Sequence, residues 1–408
     1  MPSKIDPATP KDCKITFASV LSRHGARDPT TKRGDMYREV MDRIHRSVEK
    51  YGTGVEFIKD YKYDLGAEEL TFYGEQELVK SGIAFSNRYS ALAQPNRAFF
   101  RAAGSHRVME SAKYFVQGFY ESQGEKGEKY MGDILEIPEK EGVNNTLDHG
   151  GCPKFDNGRY TGLGREKQDE WRDVWATATQ TRLNHKLPGA DLSLDDTISL
   201  MDLCPFGTIA TSNATLSQFC RLFSEDEWRS YDYYQSLEKW YDHGLGNPMG
   251  PTQGVGYVNE LIARLTGEAV DDETSTNSTL DLSPKTFPLD RKLYADFSHD
   301  NMMVSIFAAM GLHNGTADLP TKYKLPPQKT NGFSSAWVVP FAARMYVEKM
   351  VCGEARAEEE ELVRVLLNDR VVPLQNCNAD AQGRCRLSKF VESLSFARGG
   401  GFWQDCFT

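Results

Sequence analysis

Three short apolar runs, at 15–21, 98–101 and 292–297, each end in a polar loop that leads into a stretch of helical composition. The loops are Arg23-His24-Gly25, Gly104-Ser105 and Ser298-His299-Asp300, and helical stretches lie at 36–50, 75–92, 106–119 and 302–310. Ser105 stands in the capping position for the helix over 106–119. A chain that repeats strand, loop and helix in this order is constrained to a sheet with helices on its faces, so the expected class is α/β. Loops that leave the carboxyl ends of such strands gather at one sheet edge, where these folds bind ligands.

The 408 residues exceed what one core organises comfortably, so two domains, or one with a large insertion, are expected. The pattern changes between about 141 and 285, where helical stretches at 165–183, 190–203, 225–241 and 254–266 are separated by Gly, Pro and Asn breaks. The expectation is an α/β domain from residues 1–140 and 286–408, interrupted by an all-helical domain at 141–285. The last part returns to β-type runs at 336–340, 345–352 and 362–367 before a helix near 387–398, and the acidic run 358–361 is taken as solvated surface. No apolar run approaches the length needed to cross a bilayer. The polar start Met1-Pro2-Ser3 carries no export signal, and any such signal is expected to have been removed.

A formal net charge of −10 argues against nucleic acid, which demands a broadly basic face. The cysteines, Cys13, Cys152, Cys204, Cys220, Cys352, Cys377, Cys385 and Cys406, form an even set of eight with no CxxC pair and no His at zinc-finger spacing. N-glycosylation sequons begin at Asn144, Asn213, Asn277 and Asn314. Together these fit an oxidising, exported setting, and the expectation is a secreted, extracellular monomer that acts on a small molecule.

The most informative stretch is Arg23-His24-Gly25-Ala26-Arg27-Asp28-Pro29-Thr30. A phosphoryl group needs cations on its nonbridging oxygens, and guanidinium forks supply them bidentately. Gly25 is expected to let the backbone approach the anion. Fixed positive charge around His24 lowers its pKa, so a neutral, nucleophilic imidazole persists into acid. A structural histidine in an arginine cluster is the plainer alternative, and it suits a chain with one such arginine better than one with two. A nucleophile alone does not expel an alkoxide, so a general acid is required, and Asp300 offers one from the equivalent loop of another strand. Arg101, in Phe100-Arg101-Ala102-Ala103-Gly104-Ser105, is expected in that place on a third strand. Two arginine segments, a histidine and a carboxyl acid at one sheet edge spell phosphoryl transfer. Lys32, Arg33 and Arg107 extend the cationic clusters, while His45, His106, His149, His185, His243 and His313 show no partner spacing and are assigned no role. With no GxxxxGK[ST] loop, no metal-ligand cluster and no G-x-S-x-G elbow, neither cofactor nor metal is expected.

The segments RHGARDPT at 23–30, FFRAAGSHRV at 99–108, GNPMGPTQGVGYVNELIARLT at 246–266, YADFSHDN at 294–301, NGFSSAWVVPFAARMYVE at 331–348 and LVRVLLNDRVVPL at 362–374 resemble the histidine acid phosphatases, and within them the fungal phytases. The resemblance runs nearly end to end. It implies a mixed central sheet with flanking helices, phosphoglycerate-mutase-like, plus a smaller all-helical inserted domain, with the active site between them. It further implies His24 as a nucleophile that forms a phosphohistidine, Asp300 as proton donor, and Arg23, Arg27, Arg101 and His299 as ligands of the scissile phosphate. Thr30 matches a substrate contact, and of the lysine pair that meets the substrate's other phosphates only Lys239, in Glu238-Lys239, carries over. The implied disulfides are Cys13 with Cys352, Cys152 with Cys406, Cys204 with Cys220 and Cys377 with Cys385, where the sequence alone leaves on the order of a hundred connectivities open.

The substrate so implied is myo-inositol hexakisphosphate, phytate, and the alternative is a broad-specificity histidine acid phosphatase using the same His24 machinery. A phosphate-binding protein without catalysis is disfavoured because the whole set of site residues is present. The departures from the family pattern, Asp28 in place of an aromatic, Met302-Met303 after the HDN and the reversed charge at Glu238, bear on substrate preference more than on reaction type. The family's N-terminal segment, with its extra cysteine pair, has no counterpart here and is expected either to have been trimmed or to be lacking in this lineage.

Overall fold

The computed structural model describes residues 3–94, 97–353 and 361–408, so Met1, Pro2 and most of the 358–361 run lie outside the described residues. β1 (Cys13–Arg23) is buried without interruption from Phe17 to Ser22, as a strand covered on both faces must be. The sheet continues on one side of β1 through parallel pairing, with β2 (Phe99–Ala103) holding β3 (Leu135–Ile137) and both β1 and β2 flanking β4 (Leu293–Ser298). On the other side β5 (Arg344–Cys352) runs antiparallel, followed by β6 (Glu361–Leu367), which pairs with β7 (Arg370–Val372) and β8 (Arg384–Arg386). The order is β3-β2-β4-β1-β5-β6-β7, with β8 also on β6. Parallel pairs need long crossovers, and helix-bearing segments supply them between β1 and β2 and between β2 and β4. The β6–β7 hairpin closes on Asn368 and Asp369, both left-handed at φ 48° and 62°, as a two-residue type I′ turn requires. No glycine announces that turn, so the sequence pattern shows β6 and not β7.

The longer helices are α1 (Thr31–Ser47), α2 (Phe72–Arg88), α3 (His106–Glu121), α4 (Leu163–Lys186), α5 (Leu194–Ile209), α6 (Glu225–Glu238), α7 (Val255–Thr266) and α8 (Asp300–Ala309). Adjacent strand residues face opposite layers. Phe100 and Phe297 meet Phe115 of α3, while Phe99 and Tyr294 meet the Arg264 guanidinium of α7. Between 141 and 285 the described residues hold helices and turns and no strand. Leu183, Leu200, Met201, Leu203 and Phe219 build a core there, and Tyr37, Val40, Met41 and Ile44 of α1 complete it. In the opposite sense, α7 buries Val258, Leu261 and Leu265 with Phe17, Leu21 and Leu293 of the sheet. The two layers are thus stitched by one helix from each side.

Two local expectations are corrected. The 336–340 run is not a strand: Ser335–Val338 forms one helical turn, because Asp232 of α6 accepts from the Ala336 N–H and Ser236 Oγ from the Ser335 N–H, and Pro340 has no N–H for a ladder. The helix near 387–398 is split into Leu387–Ser393 and Ser395–Arg398.

Disulfides join Cys13 to Cys352, Cys152 to Cys406, Cys204 to Cys220 and Cys377 to Cys385, the pairing that the resemblance implies. The first closes a sequence separation of 339 between the paired ends of β1 and β5, and the last a separation of only 8. Loop-closure entropy grows with length, so replacing both cysteines of the first pair by alanine is expected to cost about 3–5 kcal/mol, against about 2 kcal/mol for the last pair. Denaturant unfolding of the two double variants measures the difference, and equal losses would show that chain entropy is not the controlling factor.

Candidate active site

The register sets Arg23 of β1 opposite Ser298 of β4, and Ala102 of β2 opposite Phe297, so the residues after each strand emerge side by side. The His24 N–H donates to the Ser298 carbonyl (3.1 Å), and the His24 carbonyl accepts from the Ala342 N–H (3.0 Å). Gly25 has no room for a side chain, since a Cβ would come within 2.5 Å of the Gly74 carbonyl and of the Leu78 side chain. The glycine is demanded by the close approach of α2, a different reason from the approach to an anion that the sequence suggests. The Gly25 N–H donates to Ser111 Oγ (3.0 Å) and the Ala26 N–H to Glu77 (3.0 Å), which ties this loop to α3 and α2.

His24 is buried, with Nδ1 2.9 Å from the Gly25 carbonyl. A carbonyl only accepts, so Nδ1 carries the proton and Nε2 keeps the lone pair. Burial first, and then the Arg23 and Arg27 guanidiniums, push its pKa well below the ordinary histidine value, so the ring stays neutral in acid. Asp300 opens α8 with Oδ2 3.0 Å from Arg23 and 3.0 Å from Lys239 Nζ. Burial pushes this carboxyl up, but Arg23 and Lys239 outweigh it and hold Asp300 well below the usual carboxylate range. Lys239 also lies 3.0 Å from Glu238 and 2.5 Å from Asn301 Oδ1. Arg23 stacks over Phe341 at 4.5 Å, and the same ring lies 5.8 Å from His24. Burial and the neighbouring Arg23 and Arg107 draw the Arg27 pKa down to about 10, which leaves it charged.

The structure brings Arg23, His24, Arg27, Lys239, His299 and Asp300 together, and it does not bring Arg101. The register pairs Arg101 with Asp296, two residues short of the edge. Its side chain is 2% exposed, Nε is 2.7 Å from Asp296, and its other end pairs with Glu260 of α7. Arg264 joins Asp296 at 2.7 Å, so Arg101 belongs to a buried ion cluster beneath the site. Arg107 stands where Arg101 was expected. In the first turn of α3, it lies 3.5 Å from His299 Nδ1 and 3.6 Å from Glu68, and its charge acts on both Arg23 and Arg27. The sequence names it only as one of a cluster. The signal that finds it is its place, the first helical turn past the carboxyl end of a strand.

Thr30 caps α1, its hydroxyl accepting from the Arg33 N–H (3.3 Å), and Arg33 turns toward Asp202 of α5 (3.8 Å). Ser105 holds the N-cap position of α3, but its hydroxyl makes no capping bond and lies 3.4 Å from His299 Nε2. Glu139, which the sequence does not single out, lies 2.8 Å from the same Nε2. Among the described residues, donor atoms of Glu139, Asp148 and His299 come within 4.8 Å of one another, a spacing that a metal ion tolerates and that the Glu139–His299 hydrogen bond accounts for in part. A neutral imidazole nitrogen set among Arg23, Arg27 and Arg107, with a carboxyl group in the same pocket, suits attack on phosphorus followed by protonation of a leaving oxygen.

Residues 14–368 match the model of the histidine phosphatase superfamily (branch 2). Phytase A of Aspergillus fumigatus is 48% identical over 405 residues, spanning 98% of this chain and 86% of that protein. Phytase A of Arthroderma benhamiae is 48% identical over 408 residues, spanning 99% and 88%. The crystal structure of the phytase from D. castellii superposes with a TM-score of 0.81 at 22% identity, covering 100% of this chain and 85% of that one. The multiple inositol polyphosphate phosphatase of Bifidobacterium longum, in complex with inositol hexasulfate, gives 0.66 at 16% identity over 95% and 93%. At these identities the solved structures speak to the fold.

Arg107→Ala is expected to weaken binding of inorganic phosphate about tenfold or more, the worth of one charge-assisted contact, with little change in stability. Arg101→Ala leaves Glu260 without its arginine and Asp296 with Arg264 alone in the interior, and is expected to cost about 3–5 kcal/mol of stability. Calorimetric titration with phosphate, paired with denaturant unfolding, separates the two, and the reverse pattern would return Arg101 to the site.

Proposed function

We infer that this chain, which belongs to branch 2 of the histidine phosphatase superfamily, is a phosphatase that hydrolyses phytate through a phosphohistidine on His24. The observation that carries the mechanism is His24 Nε2, a lone pair kept free of protons by burial and by Arg23 and Arg27 and set in a ring of cations. Nε2 attacks phosphorus, the bond from phosphorus to the ester oxygen breaks, and Asp300 protonates that oxygen as it leaves. Water then attacks the phosphohistidine, its proton passes to Asp300, and phosphate departs as Nε2 recovers its lone pair. Arg23, Arg27, Arg107 and His299 hold the transferring phosphoryl group, Thr30 borders it, and Lys239 meets the other phosphates. Resting Asp300 is a carboxylate because Arg23 and Lys239 face it. A docked phosphate claims those cations, which raises the affinity of Asp300 for a proton. A substrate monoanion, the form that prevails below a second phosphate pKa of about 6, brings one.

The proposed organisation is an α/β domain of 1–140 and 286–408 around a helical domain at 141–285, supported by the confinement of described strands to the former. Secretion, with no nucleic-acid partner, is supported by four disulfides, exposed sequon residues Asn144, Asn213 and Asn314, and a net charge of −10. No helix among the described residues is long and apolar enough to cross a membrane. One observation favours a broader phosphatase: Glu238 lies 3.0 Å from Lys239 and offsets charge that peripheral phosphates would otherwise meet.

Rapid quench with phosphate-labelled substrate is expected to place an acid-labile, base-stable label on His24, and a label on any other residue overturns the mechanism. Asp300→Asn is expected to lower kcat on phytate about 10²–10⁴-fold. The burst of nitrophenol from p-nitrophenyl phosphate should fall far less, because that leaving group departs without a proton. A burst slowed as much as phytate turnover would show that Asp300 supplies charge and no proton.

A further inference from the structure

Beyond the end of α8, Leu312 and His313 meet the β6–β7 hairpin at a cavity of about 380 Å³. That volume falls in the range of about 300–1,000 Å³ that small-molecule pockets occupy. Its apolar wall is built from Leu312, Val338, Leu367, Val371 and Pro373, with Ile5 of the N-terminal stretch added to it. None of the lining residues belongs to the catalytic pocket, although the two are neighbours along the chain: the residue after Val338 is Val339, whose carbonyl accepts from Arg23 (2.5 Å).

Two polar features stand out against that wall. His313 is 6% exposed, and among the described residues neither of its ring nitrogens has a hydrogen-bond partner. Burial pushes its pKa down to about 4, which the Asn331 backbone opposes without making a full hydrogen bond. A neutral ring carries one N–H and one lone pair, and leaving both buried without partners is costly. The second feature is charge. Lys4 and Arg370 line the cavity and, among the described residues, no carboxylate does, in a chain with 58 Asp and Glu against 48 Lys and Arg. Arg370 is half-buried, 5.0 Å over the Trp337 ring, and donates to the Trp337 carbonyl (2.6 Å). It forms no ion pair among the described residues, and its neighbour Asp369 pairs with Arg344 instead.

We propose that this cavity is a second ligand site, one that takes a small carboxylic acid with an apolar body and a hydroxyl group. The carboxylate meets Arg370, the hydroxyl meets His313, and the body lies among Leu312, Val338, Leu367 and Val371. A hydroxyl suits the ring in either tautomer, because it accepts from the N–H or donates to the lone pair. A purely apolar guest would leave His313 and Arg370 without partners, and a phosphate ester would meet more hydrocarbon than charge. The site uses none of the residues assigned to phosphoryl transfer, so it stands or falls apart from that reading.

The test is calorimetric titration of the full chain with para-hydroxyphenylacetate, in enough inorganic phosphate to fill the catalytic pocket. Binding at one site is expected, weakened about tenfold for the neutral para-hydroxyphenylacetamide and about threefold for phenylacetate, the worth of a charge-assisted and of a neutral hydrogen bond. Arg370→Gln keeps a donor for the Trp337 carbonyl and should erase the preference for acid over amide. His313→Leu should erase the preference for the hydroxylated probe, and it should raise the melting temperature because a buried polar group without partners is gone. Should either variant fail to fold, the three probes on the parent protein still decide. No binding at millimolar probe, equal binding of acid and amide, or displacement of the probe by phosphate overturns the proposal, as does a hydroxyl preference that survives in His313→Leu.

Discussion

The parallel pairing of β1 with β4, from Ala18 opposite Leu293 to Arg23 opposite Ser298, decides where every other part of the site falls. A slip of one residue would turn each side chain to the other face of the sheet and carry His24 away from His299 and Asp300. Apolar burial on both faces resists such a slip only in part, because Val, Leu and Phe are tolerant of one another's places. The buried ions are not tolerant. Asp296 meets Arg101 of β2 and Arg264 of α7, and Arg101 reaches on to Glu260, so each charge has a partner in only one register. Separating such a pair leaves an uncompensated charge in the interior, at a cost of about 3–5 kcal/mol. The arginine expected to bind substrate thus serves the sheet, and through it the site.

Legibility followed the physics of each residue. Strand, loop and helix order was readable because buried parallel strands are continuous apolar runs: 15–21 lies inside β1, and 292–297 falls in β4 but for Lys292. The Arg23-His24-Gly25 and His299-Asp300 loops were readable because cations and a histidine next to a strand end have few other uses. Arg101 and Arg107 were not distinguishable by composition. Which of them reaches the pocket depends on how many residues β2 spends before its edge, and that is a property of pairing with β4. Glu139 was invisible for a related reason: it is a lone acid after a three-residue strand, and its meaning comes from a partner 160 positions away. The helical turn at Ser335–Val338 is likewise imposed by Asp232 of another element, against the β preference of its own Trp337 and Val338.

A chain with a net charge of −10 builds a cationic pocket by setting carboxylates against most of its cations. Arg23 and Lys239 share Asp300, Lys239 adds Glu238, and Arg107 faces Glu68. Glu68 is held in the left-handed region at φ 65°, a strained backbone for a residue with a side chain, where its carboxylate reaches Arg107. These anions offer the cations the same oxygen partners that a phosphate would, which keeps them charged and ordered. Substrate entry is then an exchange of one set of anions for another, and its free energy is a difference between two paired states. A lone phosphate group replaces the carboxylates at Arg23 and Arg107 for a small net gain. In the proposed reading a polyphosphate also brings charge to Lys239 and gains from several exchanges at once. In the proposed reading, a preference for densely charged esters comes from what the site relinquishes as much as from what it touches, with Glu238 competing for Lys239.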